Sequence, residues 1–332
     1  METRKVQVTG GSTFTVSIPK DWATENGIDA GTVVEFHPED DALVLSPRRD
    51  ERLQEGRLDI SDVHGRDLMR AVVTMYVSGF DVIRLDAPQV SAEQRRGIRT
   101  ASQGLVGLEV VEETGEHVLL QDLLDSTELS VHSAVTRMRL IATTMLADAI
   151  TAAIENDPDL AADVIERDDD VDRLWFLVSR VFRSTLRTPA ASTEIGMDRE
   201  TCFDYHSSAR QLERIADHAV KIAQLTLELS PVPEDVAEAL GGLHEDAASI
   251  IDRAMDALFE DDSSRATGLA NAAREDVHAI DELTRSVDDQ IRALDEPSQA
   301  QALGLIVDSL SRSADYGGNV AETALQKAAP KP

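Results

Sequence analysis

Two stretches of this 332-residue chain repeat each other at a fixed spacing. LERIADHAVKIA at 212–223 aligns with LSRSADYGGNVA at 310–321, an offset of 98 residues. Leu212 falls on Leu310, Arg214 on Arg312, Ala216-Asp217 on Ala314-Asp315, and Ile222-Ala223 on Val320-Ala321. Upstream, Val171-Asp172-Arg173-Leu174 aligns with Ile280-Asp281-Glu282-Leu283 at an offset of 109. The eleven-residue difference equals the length of Arg187–Met197, so one insertion accounts for both offsets. Such self-similarity is the signature of one supersecondary unit built twice, and it restricts the possible folds more than composition does.

The repeated unit is helical. Val131, Val135, Met138, Ala142, Met145, Ala149 and Ile154 follow the three-to-four spacing of an amphipathic helix, which Asp157-Pro158 breaks. A second helix is predicted over about 159–186, with Val164, Val171, Trp175, Val178 and Phe182 on one stripe. The insertion Arg187–Met197 reads as a loop, and a third helix covers about 198–228. Pro231 and Pro233 then separate a second trio, at about 234–260, 262–293 and 297–327. The fold class expected is mainly α: two tandem three-helix bundles, 129–231 and 232–328, behind two smaller segments. With 42% apolar and only 4% aromatic residues, the composition suits helices packed through Ala, Leu, Val and Ile.

The first segment, residues 1–48, reads as all-β around one helical turn. Strands are expected at Lys5–Thr9 and over Phe14, Val16 and Ile18, broken by Gly10-Gly11-Ser12 and closed by Pro19. A turn of helix at Asp21–Asn26 precedes a hairpin of Val33–Phe36 and Ala42–Leu45 across His37–Asp41. The stretch RKVQVTGGSTFTVSIPKDWATENGIDAGTVVEF followed by DDALVLSP resembles the AbrB/SpoVT swapped-hairpin family. That resemblance, over about residues 3–47, implies two chains interleaved into one barrel, since some 45 residues bury too little core alone. It also implies DNA binding. The departure is at Phe14-Thr15, where many family members carry Gly-Arg; a dimerisation barrel that never meets DNA is the alternative reading.

Segment 49–128 reads as a small α/β element: helices at His64–Ser78 and Ser91–Ser102, a strand at Asp81–Leu85, and a hairpin of Leu108–Val111 with His117–Leu120. It carries no phosphate loop, dinucleotide fingerprint or nucleophile elbow. It is either a packing spacer or an effector-binding element.

Charge narrows the partners. The chain carries 62 acids against 32 bases, a net −30, and its only lysines are Lys5, Lys20, Lys221, Lys327 and Lys331. Such a surface is suited to molar salt, where the Debye length falls to about 3 Å. Residues 1–20, in contrast, carry Arg4, Lys5 and Lys20 against Glu2. Arg4, Lys5, Ser12, Thr13 and Lys20 are therefore the candidate DNA-contacting residues. Cys202 is the only cysteine, which excludes an intrachain disulfide. The most apolar run, Leu140 to Ile154, is interrupted by Asp148 and falls short of a membrane span. A cytoplasmic protein without membrane insertion is expected.

The helical repeat also resembles a family. VIERDDDVDRLW followed by LERIADHAVKIA is similar to the PhoU family, whose repeats carry an acidic D-x-x-x-D stretch and an E-R-I-x-D-H-A-x-x-I-A stretch. The resemblance, over about 130–327, implies two tandem bundles, metal ions on the acidic motifs, and negative control of phosphate uptake through a phosphate ABC transporter. An AbrB-like head joined to such bundles is similar to an archaeal arrangement that controls phosphate uptake.

Asp168 and Asp172 sit on the first motif, Glu213 and Asp217 on the second, each pair at i,i+4 on one helix face. Helical geometry places Asp168 within the apolar stripe of its helix and turns Glu213 and Asp217 away from the Ile215/Ala219/Ile222 stripe, favouring a surface site. Carboxylate-only donors favour Mg, Mn or Fe over Zn. The competing reading is a solvated face compensated by Arg210, Arg214 and Lys221; His218 is a further candidate ligand. The second copy has Val277 for Asp168 and Ser311 for Glu213, leaving only Asp281 and Asp315 as a weaker set. No nucleophile, base and oxyanion site come together, so no enzyme is expected. The leading expectation is a dimeric, DNA-binding, phosphate-responsive regulator; the alternative is an adaptor that binds the transporter ATPase.

Overall fold

The computed structural model describes residues 3–39, 42–48, 53–124 and 130–330. The chain divides into two compact units, Met1–Leu53 and Gln54–Pro332.

In the first unit, β1 (Gln7–Thr9) pairs antiparallel with β2 (Thr13–Thr15), Thr9 opposite Thr13. Helix α1 (Lys20–Glu25) follows Pro19, and β3 (Val34–Glu39) pairs with β4 (Ala42–Pro47). Two expectations change here. Val16 to Ile18 lie outside the strand, and the pairing of the second hairpin continues through His37 to Glu39 and from Ala42, residues 40–41 lying outside the described residues.

The second unit opens with a strand the sequence reading missed, β5 (Glu55–Asp59). It pairs in parallel with β6 (Val82–Asp86) across the crossover helix α2 (Gly65–Val77). Helix α3 (Ala92–Gln103) leads to the hairpin β7 (Leu108–Glu113) and β8 (His117–Asp122), giving sheet order β5-β6-β8-β7. Only Gly56 of β5 is buried, and with one apolar residue, Leu58, the strand has no alternating signal to read. Ser91 caps α3 in a reciprocal box with Gln94, whose amide nitrogen also donates to the Ile60 and Val63 carbonyls. Leu68, Val72, Tyr76, Ile83, Leu85, Ile98 and Leu120 form this layer's core.

Helix α4 (Val131–Glu155) starts at Ser130, whose hydroxyl accepts from the Ser133 amide, and ends at Asn156 in the left-handed conformation. The expected boundary at 128/129 falls outside the described residues. The single helix expected over 159–186 is two: α5 (Pro158–Glu166), capped by Asp157, and α6 (Asp168–Arg187), with Arg167 between them. Val164 and Val171 are both buried, so their spacing of seven had concealed the break. The insertion is no loop either: it holds α7 (Pro189–Ile195), which begins on a proline and closes at Gly196 with φ +64°. Then come α8 (Arg199–Thr226), α9 (Glu234–Phe259), α10 (Ser263–Arg292) and α11 (Pro297–Ala328).

The two helical trios share one continuous core, and α8 packs on α4, α5, α6 and α11. The described residues from Gln54 onward form one compact unit. Arg180 joins the α/β layer to the helices. Buried on α6, it donates to the Tyr76 and Phe80 carbonyls at 2.8 and 2.9 Å. Its other arm pairs with Asp81 at 3.0 Å and Asp122 at 2.8 Å. Phe176, one turn earlier, packs on the α/β core.

Candidate functional site

Helices α6 and α8 pack together so that the first turns of α6 lie beside the middle of α8. This brings the four predicted carboxylates onto one seam. Asp168 and Asp172 are half-buried; burial and the neighbouring acids push Asp168 up to about 6 and Asp172 up to about 7. Asp172 is repelled by Asp168, Glu213, Asp217 and Asp169, so all four predicted residues act on one another. Burial also raises Glu213 and Asp217, and the repulsion of Asp217 adds to the rise at Glu213.

Glu213 corrects the surface placement expected for it: it is 9% exposed. The reason is that α8 is covered on several sides, burying Leu212, Ile215, Ala216 and Ala219 alike, whereas a single-stripe reading assumes one covered face. Asp217 is exposed as expected. Glu213 Oε1 accepts from Arg210 Nη1 at 2.8 Å, and Glu213 Oε2 is buried without a hydrogen-bond partner. An orphaned buried carboxylate oxygen costs free energy until a cation or proton satisfies it.

The three expected compensating bases behave differently. Arg210 does pair with Glu213, and its guanidinium also lies over the Trp175 ring, 5.3 Å from the centroid. Arg214 turns to Tyr316 instead, 5.5 Å from that ring, and Lys221 reaches Asp308 at 3.9 Å. His218 faces Tyr316 as well.

Past Arg210 the seam becomes aromatic, with Trp175 and Phe182 of the α6 stripe meeting residues of α8. His206 stacks on Phe182 at 4.5 Å and tilts against Trp175 at 4.9 Å; Phe203 lies 5.9 Å from Phe182. Burial, together with Arg183 and Arg210, pushes His206 down to about 4, so it is neutral at ordinary pH. Its signal was Trp175 and Phe182 seven apart on α6, opposite His206 and Arg210 four apart on α8.

A hard cation is the group this donor set suits, because all four side chains are carboxylates and one buried oxygen lacks a partner. Among the described residues, however, no three His, Cys, Asp or Glu side chains already converge on one point. In the second repeat Asp281 contributes to raising Asp315, so this pair is close too, but Arg312 also contacts Asp315 at 3.7 Å.

In the first unit, Arg4 and Lys5 lie before β1 at the open end of the hairpin, whereas Ser12 and Thr13 are at its tip; Lys20 opens α1. Within one chain the residues expected to share a DNA-facing surface therefore lie apart. All five are exposed. No described residue of this unit is buried, and Val6, Val8, Phe14, Val16, Val33, Phe36 and Leu43 lie open to solvent.

Comparison with known proteins agrees with this architecture. The PhoU domain matches residues 135–226 and again 240–324, together just over half the chain. An antidote-toxin recognition domain of the bacterial antitoxin MazE matches residues 7–53. No curated protein sequence matches. Among solved structures, PhoU from Pseudomonas aeruginosa is 23% identical with a TM-score of 0.50, covering 59% of this chain and 93% of that one. The phosphate transport system regulatory protein PhoU from Streptococcus pneumoniae is 18% identical with a TM-score of 0.48, covering 59% and 91%. Among the described residues no helix is long and apolar enough to cross a membrane.

Proposed function

The chain belongs to the PhoU family, and on that premise we propose that it regulates phosphate transport as a homodimer that binds DNA through its N-terminal unit. The observation that carries the dimer is the unbuilt core of that unit. With Phe14 74% exposed and no residue buried, the hairpins present half of a hydrophobic interior, and a second copy supplies the other half. The similarity of residues 7–53 to an antitoxin domain supports the same reading.

DNA is the partner because residues 1–20 carry Arg4, Lys5 and Lys20 against Glu2 alone, a local positive balance in a chain of net charge −30. Arg4, Lys5 and Lys20 contact phosphates, which position a protein on the duplex and weaken with salt, while Ser12 and Thr13 extend that surface. In one copy the basic residues and the hairpin tip lie apart, so the surface is completed across the dimer. A gel shift with DNA upstream of phosphate-transport genes tests this at low and high salt. A shift lost in an Arg4→Ala/Lys5→Ala variant supports it; no shift at low salt leaves the protein as an adaptor for the ATPase of a phosphate ABC transporter.

The acid seam is the sensing element. Asp168, Asp172, Glu213 and Asp217 would hold a divalent or iron-type cation, which supplies the positive charge their mutual repulsion calls for. The second repeat, reduced to Asp281 and Asp315, is mainly structural. Metal content of Glu213→Ala/Asp217→Ala and Asp281→Ala/Asp315→Ala variants tests the asymmetry: loss confined to the first pair supports it, equal loss from both removes it.

A further inference from the structure

Building on the reading of the acid seam as a cation site, we infer that Arg210 is its positioning residue: it holds Glu213 while no cation does, and it passes the cation's arrival on to Trp175. Among the described residues Arg210 is the one base bonded to any of the four carboxylates. Its two contacts are made at once, Nη1 on Glu213 Oε1 at 2.8 Å and the guanidinium over the Trp175 ring at 5.3 Å. Glu213 Oε2, nine-tenths buried with its residue, is left for a second cation to satisfy.

A divalent ion bound to Glu213 competes with Arg210 in two ways. It draws the charge of the carboxylate that orients the guanidinium, and it repels the guanidinium directly. Arg210 is only half-buried, so it can leave towards solvent on its flexible stem. Departure removes the cation from the indole face, while His206 remains against the same ring. The cluster and the aromatic part of the seam thus respond together.

The second repeat supports this pairing by lacking it. The position of Arg210 is taken by Asp308, that of Glu213 by Ser311 and that of Trp175 by Thr284. All three members of the contact are absent together from the copy that has two fewer carboxylates.

The test uses the full chain carrying Trp22→Phe, which leaves Trp175 as the only tryptophan. Mn²⁺ affinity is read from the paramagnetic resonance of free Mn²⁺, and Trp175 emission is followed during titration with Mg²⁺, which does not quench. The expected result is that Arg210→Gln tightens Mn²⁺ about threefold to tenfold, a range between an exposed ion pair and a charged buried hydrogen bond. The same variant should abolish the Mg²⁺-dependent change at Trp175. Unchanged or weaker Mn²⁺ binding in Arg210→Gln overturns the inference, as does an emission that Mg²⁺ leaves unmoved in a parent that binds it. Glu213→Gln separates the two levels. If it leaves Mn²⁺ binding intact, the acid seam is not the cation site and both readings fall; if it weakens binding while Arg210→Gln changes nothing, only the role of Arg210 falls.

Discussion

His218 and Tyr316 occupy the same position in the two helical repeats and face each other ring to ring, with centroids 5.6 Å apart. A residue meets its own counterpart only on an axis of approximate two-fold symmetry, so this contact locates that axis between α8 and α11. The flanking contacts agree: Gln211 bonds Asn319 at 3.1 Å on one side, and Lys221 reaches Asp308 at 3.9 Å on the other. The axis explains why Arg214 and Lys221, expected to compensate the acid seam, make their contacts elsewhere, Arg214 acting on Glu213 and Asp217 only through its charge. Both are spent on the partner repeat.

One residue beyond Tyr316, Gly317 brings α11 close to α9. A Cβ there would lie 3.0 Å from Ile250 Cγ2 and 3.2 Å from the Ile251 Cα. Alanine gains about 1 kcal/mol of helix propensity over glycine, which offsets much of that crowding. Gly317→Ala is therefore expected near neutrality, whereas Gly317→Val overpacks the contact and costs about 1–3 kcal/mol in denaturant titration. A valine variant as stable as the parent would refute the close approach.

The acid seam sets a pH dependence of unusual sign. Asp168 and Asp172 titrate near 6 and near 7 in the folded chain, above the 3.8 of a free aspartate, so the folded state binds these protons more tightly. Their contribution to stability therefore rises as pH falls from about 7 to about 4 and is lost as pH rises through the folded values. In chelator, Asp168→Asn/Asp172→Asn should raise the melting temperature over the parent at pH 8 and give little gain at pH 5. A gain of equal size at both pH values would contradict this assignment.

Arg180 is the joint between the α/β layer and α6. Removing it takes one donor each from Asp81, Asp122 and the Tyr76 and Phe80 carbonyls, and the counter-charge from both carboxylates. Arg180→Ala is expected to cost about 3–5 kcal/mol, because a buried carboxylate loses its counter-charge. Arg180→Lys keeps the charge without the fork that reaches four acceptors, and should fall between. Thermal melts of the two variants give the order; a lysine variant as stable as the parent would show that charge alone suffices.

Phe14 belongs to the exposed apolar surface that the proposed dimer would cover. Phe14→Glu should convert the full chain from dimer to monomer in light scattering, with its helical circular dichroism unchanged. A monomeric parent would remove the basis for the swapped-hairpin reading.

Much of this was legible in the sequence because it depends on local periodicity. The helices of the second trio, α8 and the capped start of α3 are each set by apolar spacing, prolines and capping side chains within a few residues. The repeat likewise announced the bundles, and the acids at 168, 172, 213 and 217 were identifiable by their i,i+4 pairing. The break at Arg167 stayed hidden because Val164 and Val171 keep the helical phase across it, and β5 because its burial is supplied by Gly56, which leaves no apolar mark. Only tertiary packing decided that Glu213 is buried, that Arg210 rather than Arg214 or Lys221 pairs with it, and that Trp175 receives the same guanidinium. Those outcomes depend on which helices surround α8, and a carboxylate on a helix carries no local record of what will cover it.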